Sequence, residues 1–487
     1  MLTKKTLHFS IFLLMLYSIG YYFLGERIAL NNGFGWDGVI YGAYAQNFWA
    51  LLHHTNDIYH INRILPSFII YCLLKLFHFN TQSPMIIVGA FILFNSFLFI
   101  LCAILWFKIC DYKKWTTNIY WFGFISLFIN YMYLKHNFYD PVLTDTAALF
   151  LGMLSLFVYI QKKYLLLAIT LIPAYFTWPI SLVLLAPLLL FTHPVIINKP
   201  INRTEIISSL LVSMIFIFVC IYLTYILDNT KIVSNSVNIY YPLLPLSILL
   251  ASLFIYIVSV NSRLFISLKQ FLNINKRNLL YFICSSIISL LIYTWLKFHL
   301  PHYTTDKSIF TIRDLLSVCI LGAIAKPGLF FISHLAFWGP VVILIIYYLK
   351  KIMQISLQEG FGVMLFMMAT AVLALNSQTR QIDFNFPFIV YLLCLTIPPR
   401  ILTQRSLLIY LFTSLIISKV YYLINVEPLS GSILTFPYQR FMMNSGTYMN
   451  WGGYFVNMGL FIISIILIKV GFFSSPQRQT QRLDNAH

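Results

Sequence analysis

An aspartate between an aromatic residue and a glycine begins the part of this chain that is richest in chemically useful side chains. Asp37 follows Trp36 in the sequence Gly-Phe-Gly-Trp-Asp-Gly, directly ahead of a run with apolar residues at helical spacing. A carboxylate at that point can cap the helix, because Asp is among the preferred residues there. It can equally serve as a general base that removes a proton from a hydroxyl group. The sequence leaves both interpretations of Asp37 open.

Two further carboxylates stand close together in the sequence Tyr-Asp-Pro-Val-Leu-Thr-Asp, at positions 140 and 145. Pro141 fits the first turn of a helix, so we expect Asp140 in the loop and Asp145 one turn inside the helix. An ionisable group at the edge of an apolar segment is a candidate functional residue. Stabilisation of the helix dipole is the alternative. The spacing does not decide which of Asp140 and Asp145 is the functional one.

Three arginines are candidates for binding an anionic group: Arg63, Arg380 and Arg440. A guanidinium can hold a phosphate through two parallel hydrogen bonds. The competing interpretation is an anchor at the membrane interface or an ion pair, for which Arg380 has a nearby partner in Asp383.

A group of histidines and an aspartate, His53, His54, Asp57 and His60, suggests a metal site at first sight. Its spacing is looser than the two histidines at i and i+4 by which one helix face binds zinc. We predict polar loop residues and no metal site, with a divalent cation (Mg or Mn) as the minor alternative.

The amino-acid composition indicates the structural class of the chain. Its 487 residues are 60% hydrophobic and only 9% charged, and the mean hydropathy is +0.82. A soluble domain cannot bury that much apolar surface, whereas repeated apolar runs of about 20 residues can cross a bilayer. The net charge of +18 comes from short, scattered basic clusters, which indicates orientation in a membrane and excludes nucleic acid as a partner. The seven cysteines lack metal-binding spacing and are predicted to be core residues.

The prediction for the fold is an all-α, polytopic transmembrane helical bundle of about 13–14 spans, with juxtamembrane helices in the first outer loop. Lys4 and Lys5 place the N-terminus in the cytoplasm. Later basic clusters also fall inside if residues 63–78 do not span the membrane. Residues 308–327 are predicted to form another interfacial or re-entrant helix, and residues 328–349 a single span.

The first-loop aspartate, the Arg-x-Leu-Pro sequence that follows and the Tyr-Asp-Pro-x-x-Thr-Asp loop resemble the GT-C superfamily. These integral-membrane glycosyltransferases use polyprenyl-phosphate-linked sugars, and they include dolichyl-phosphate mannosyltransferases and lipid A aminoarabinose transferases. The resemblance covers roughly residues 8–200. It divides the chain into a GT-C-like module at 1–200, with its catalytic first outer loop at 26–83, and a variable C-terminal transmembrane module at 201–487.

The resemblance implies that Asp37 is the catalytic base and that Asp140 or Asp145 is the second-loop carboxylate. Arg380 precedes a Phe-Pro helix start and looks like the family's late-loop arginine. The Lys-Pro-Pro that many members have before the interfacial helix is replaced here by Arg63-Ile-Leu-Pro. We expect four further residues to contact substrate: Trp36, Tyr41, Tyr139 and His60.

The expected function is therefore transfer of a sugar from a polyprenyl-phosphate donor to an acceptor hydroxyl on a lipid or glycan. The reaction would invert the anomeric centre, on the periplasmic face of a bacterial inner membrane. The alternatives are a transporter or flippase for a lipid-linked saccharide, and a non-catalytic relative with the same fold.

Overall fold

The structure, a computed structural model, describes residues 2–54, 58–196, 200–226, 239–263, 268–299, 312–426, 444 and 446–473. Within these ranges the chain is built from helices and turns, without a strand. The predicted all-α class is confirmed.

The described part of the first 160 residues forms α1 (Lys4–Leu24), α2 (Gly38–Gln46), α3 (Phe48–His54), α4 (Ile58–Ile61), α5 (Leu65–Leu76), α6 (Pro84–Tyr112), α7 (Thr117–Phe128), α8 (Asn137–Tyr139) and α9 (Asp145–Ile160). The described residues that follow form α10 (Tyr164–Tyr175), α11 (Ser181–Leu190), α12 (Arg203–Ile221), α13 (Leu244–Ser262) and α14 (Lys276–Phe298). The described part of the remainder forms α15 (Ile312–Ile324), α16 (Leu329–Trp338), α17 (Val341–Glu359), α18 (Phe361–Ala374), α19 (Phe386–Thr396), α20 (Gln404–Ser418) and α21 (Trp451–Ile468).

The protein is an integral membrane protein with several spanning helices. Among the described residues, seven helices are long and apolar enough to cross a bilayer, or eight if the pair α15 and α16, bent by 96°, is counted as one span. Shorter apolar helices of 10–17 residues pack among them, and they include α5, α9 and α19. The predicted total of about 13–14 spans, among them residues 117–134 and 328–349, is larger because it also counts shorter apolar runs.

Two predicted spans are interrupted. Residues 328–349 form two helices, because Gly339 adopts a φ of +81° and Pro340 has no N–H to continue the helical ladder. The span predicted at 117–134 ends at Phe128. There the Asn130 side chain bonds to the Ser126 and Leu127 carbonyls and accepts from the Tyr133 N–H, and so competes with the helical hydrogen bonds.

Helix α5 covers most of the segment 63–78 that was predicted not to span. Its 12 residues rise only about 18 Å, less than a hydrocarbon core of about 30 Å. Its first N–H donates to the carbonyl of Phe176 at 3.0 Å, which joins it to the end of α10. The interfacial helix predicted at 308–327 corresponds in its described part to α15.

Close helix contacts place the loops that carry the candidate functional residues. Helix α9 approaches the segment 376–385 so tightly that a Cβ atom on Gly152 would lie 2.0 Å from the Phe384 carbonyl oxygen. Trp106 of α6 likewise fills the space beside Gly123 of α7. Because neither glycine position has room for a side chain, the loops at the ends of these helices are held in fixed positions.

Candidate active site

Residues from three distant loops meet at one end of the bundle. The first connects α1 to α2, the second connects α7 to α9, and the third connects α18 to α19. The first and third loops meet where Arg380 Nη2 lies 3.4 Å from Asp37 Oδ2. The Arg380 side chain is 27% exposed and that of Asp37 is 37% exposed, so a small molecule has access to both.

Asp37 does not cap its helix. It precedes α2 with helical dihedral angles, φ −61° and ψ −30°, and its side chain makes no capping hydrogen bond. Its carboxylate contacts the guanidinium of Arg380 instead. The capping interpretation is therefore wrong for Asp37. Its carboxylate is partly exposed and accessible to a small molecule.

Asp140 lies directly behind the turn that leads to Asp37. Gly35 in that turn has a φ of +71°, and a Cβ atom there would lie 2.9 Å from Asp140 Oδ1. Only glycine satisfies both the backbone angle and the close approach. Asp140 is 4% exposed. Burial, reinforced by the charge of Asp145, raises the pKa of Asp140 to about 8.

Asp145 begins α9, and its carboxyl lies beside that of Asp383 in the third loop. Both residues are buried. Burial and the neighbouring Asp145 raise the pKa of Asp383 well above its usual range, while the charge of Arg380 opposes this shift. Two negative charges buried side by side are costly, which explains the direction of this shift for Asp383. Asp383 was considered from the sequence only as an ion-pair partner for Arg380, and the ion pair in the structure is formed with Asp37.

Arg63 reaches the same site from the start of α5. Its guanidinium stacks between the rings of Tyr59 and Trp178, with its Cζ 4.7 Å from each ring centroid. The electrostatic neighbours of Arg63 include Tyr41 and Arg380, which places the two arginines in one site. Stacking on aromatic faces holds a guanidinium plane in position for an anion.

The four residues predicted to contact substrate divide into two groups. Tyr41 and His60 pack together, with ring centroids 5.1 Å apart, beside the two arginines. Tyr139 is fully buried, and its hydroxyl donates to Asn425 Oδ1 at 2.7 Å. Trp36 packs against the small apolar cluster that contains Tyr139. These contacts give Tyr139 a packing role beneath the first loop.

The predicted site residue Arg440 and the predicted loop residue Asp57 lie outside the described residues. In the part of the chain that the structure describes, no three His, Cys, Asp or Glu residues come close enough to hold a metal ion.

A partly buried ion pair that the sequence did not indicate joins the first and second loops. Lys135 Nζ lies 2.7 Å from Glu26 Oε2, and the Ile424 and Asn425 N–H groups donate to the same carboxylate. Burial tends to raise the pKa of Glu26, but Lys135 and these backbone donors lower it overall. Next to Lys135, burial lowers the pKa of His136 to about 4, so its imidazole is neutral at pH 7.

No family model, curated protein or solved structure matches this chain. The function must be argued from the site itself.

Proposed function

We propose that the protein is an inverting membrane glycosyltransferase that takes a sugar from a polyprenyl-phosphate donor. The observation that carries the proposal is the accessible pair of Asp37 and Arg380, 3.4 Å apart, beside a second arginine stacked on aromatic rings. A base and a pair of guanidinium groups at one site suit a reaction in which a hydroxyl attacks and a phosphate leaves.

The aspartate and the two arginines each have a role in the proposed reaction. The Asp37 carboxylate accepts the proton of the acceptor hydroxyl as the oxygen forms a bond to the anomeric carbon. The bond from that carbon to the phosphate oxygen breaks on the opposite face, which inverts the centre, and its electron pair leaves with the polyprenyl phosphate. Arg380 and Arg63 balance the charge of the leaving phosphate. A phosphate is already a good leaving group, so no general acid is required.

The membrane setting supports a lipid-linked donor. Helices α2 to α5 lie in the connection between the spanning helices α1 and α6, and α5 is an apolar helix too short to span. A prenyl chain can remain in the bilayer while its phosphate reaches the site. We assign the site to the periplasmic face of a bacterial inner membrane because the positive-inside rule places Lys4 and Lys5 in the cytoplasm. The acceptor is a hydroxyl of a lipid or glycan.

The test is transfer of labelled sugar from polyprenyl-phosphate sugars to endogenous lipid or glycan, with purified protein reconstituted into membranes. Asp37→Asn removes the base but keeps the size of the side chain. We expect its rate to fall roughly 10²–10⁴-fold, the usual contribution of a general base. The matched control is Asp111→Asn, which removes an exposed carboxylate at the end of α6. Its rate should equal that of the wild type.

Two results would contradict the proposal. Full activity of Asp37→Asn at unchanged thermal stability would refute Asp37 as the base. If the wild-type protein consumes no donor but moves a lipid-linked saccharide across proteoliposomes, the chain is a transporter and the enzyme proposal fails.

A further inference from the structure

A groove of about 520 Å³ lies at the far end of α9 from the carboxylate site. One wall is the turn from α9 into α10, and the other is the first turn of α14. Asp145 begins α9 and the groove follows its last residue, Ile160. At a rise of about 1.5 Å per residue, the 16-residue helix separates the two places by roughly 24 Å.

The groove is strongly basic. Lys162, Lys163 and Arg277 line it, and none of its nine lining residues is acidic. In the described part of the chain, none of these three cations forms a salt bridge with a carboxylate. Arg277 Nε donates to the Tyr281 hydroxyl. The nearby carboxylate of Glu359 is engaged by Lys113 and Tyr391. The three positive charges of the groove are therefore available to an anion.

Hydrogen-bond donors converge at the same place. The 23-residue helix α14 begins in the groove, where the Asn275 side chain accepts from the Asn278 N–H at 3.1 Å and caps it. The Asn278 side chain also lines the groove and is 2% exposed, yet its Nδ2 donates to no acceptor among the described residues. A buried amide donor without an acceptor costs free energy, and Asn278 is one of the residues that line the groove. Together with the positive end of the helix dipole, the Asn278 amide favours binding of an oxyanion such as phosphate.

Apolar surface beside the groove identifies the source of that phosphate. Leu165 and Leu166 on the rim are 52% and 46% exposed. Leu280, one turn into the spanning helix α14, is 58% exposed. These side chains face the hydrocarbon of the bilayer, so an acyl chain can lie along α10 and α14 with its head group in the basic groove.

We propose that this groove binds the phosphate head group of an anionic membrane lipid, at the membrane face opposite the carboxylate site. Its lysines, Arg277 and the Asn278 amide contact the phosphate, and the exposed leucines contact the acyl chain. This site is independent of the proposed transferase activity.

The test is equilibrium binding of short-chain phosphatidylglycerol to the purified full chain in detergent. Phosphatidylcholine and inorganic phosphate are measured in parallel. Replacing Lys162, Lys163 and Arg277 together with glutamine should weaken phosphatidylglycerol binding by roughly 100-fold, from the usual contribution of each basic residue near an anionic lipid. The single variant Asn278→Ala leaves the charge unchanged, and it should weaken binding several-fold.

The control variant replaces Lys4, Lys5 and Lys350, three exposed cations outside the groove, with glutamine. It loses the same charge and should bind phosphatidylglycerol as the wild type does. An equal loss in the control would show non-specific attraction to basic surface and overturn the proposal. Tight binding of inorganic phosphate alone would overturn the lipid as ligand. If the triple variant does not fold, Asn278→Ala decides the matter: unchanged affinity for phosphatidylglycerol refutes the site.

Discussion

Replacing Asp140 with asparagine should stabilise the folded protein at neutral and alkaline pH. The carboxyl of Asp140 is buried against Gly35, and its electrostatic neighbours are Asp145, Arg380 and Asp37. Its pKa is raised from 3.8 to about 8, so the folded state binds a proton that the unfolded state releases above pH 4. The free energy of unfolding therefore falls as the pH rises from about 4 to about 8.

The magnitude follows from the size of the shift. Four pKa units correspond to a free energy on the order of 5 kcal/mol once the pH exceeds both values. Because Asp140 is only 4% exposed, solvent screening reduces this amount little. Asparagine has the same shape and does not ionise, so it removes this pH-dependent cost while it keeps a hydrogen-bonding group in place.

The assay is thermal unfolding of purified wild type and Asp140→Asn between pH 5 and pH 9, with Asp111→Asn as an exposed control. We expect the midpoint of the wild type to fall relative to Asp140→Asn as the pH rises to 8, and the gap to stay constant above that. The control should follow the wild type throughout. Parallel curves for wild type and Asp140→Asn would refute the proposal that Asp140 is held protonated.

Two further substitutions test how the loops are positioned. Gly152→Ala forces the Phe384 carbonyl away from α9, so it should cost about 1–3 kcal/mol of stability and lower transferase activity. Gly20→Ala, with no atom within 4 Å of the new Cβ, is its control in both measurements. Lys135→Met leaves the partly exposed Glu26 carboxylate without its cationic partner and should cost roughly 1–3 kcal/mol in thermal unfolding experiments. Adding Glu26→Gln should recover part of that loss, and a further loss in the double variant would contradict the ion-pair explanation.

Local sequence patterns predicted the helices well, because apolar composition and helix-start residues act over short distances. Pro84 stands at the start of α6, as expected of proline. Helix α9 begins at Asp145 and Pro141 lies in the preceding turn, so the prediction that placed Asp145 one turn inside the helix was wrong. The break at Gly339-Pro340 was missed although the dipeptide is a recognised helix breaker. Because the dipeptide stands inside a long apolar run, we interpreted the run as one unbroken helix.

The assembly of the site depended on information that local patterns do not carry. Asp37 and Arg380 were both singled out as candidates, but their contact joins residues 343 positions apart. Asp383 looked like a partner for the adjacent arginine, and only the structure shows that it is buried beside Asp145. The role of Glu26 was equally hidden, since Lys135 and the N–H group of Ile424 reach it from distant loops.

The separation of Asp37 from Arg380 also has a consequence for biogenesis. At about 5–20 residues per second, the ribosome adds Arg380 roughly 20–70 s after Asp37. The contact between Glu26 and Lys135, 109 positions apart, can form much earlier in that interval. The contact between the first two loops can thus form in the nascent chain before Arg380 has been synthesised. The positive charge of Arg380 reaches the carboxylates only after most helices have entered the membrane. A chain that stops short of residue 380 would be inserted without the arginine that contacts Asp37.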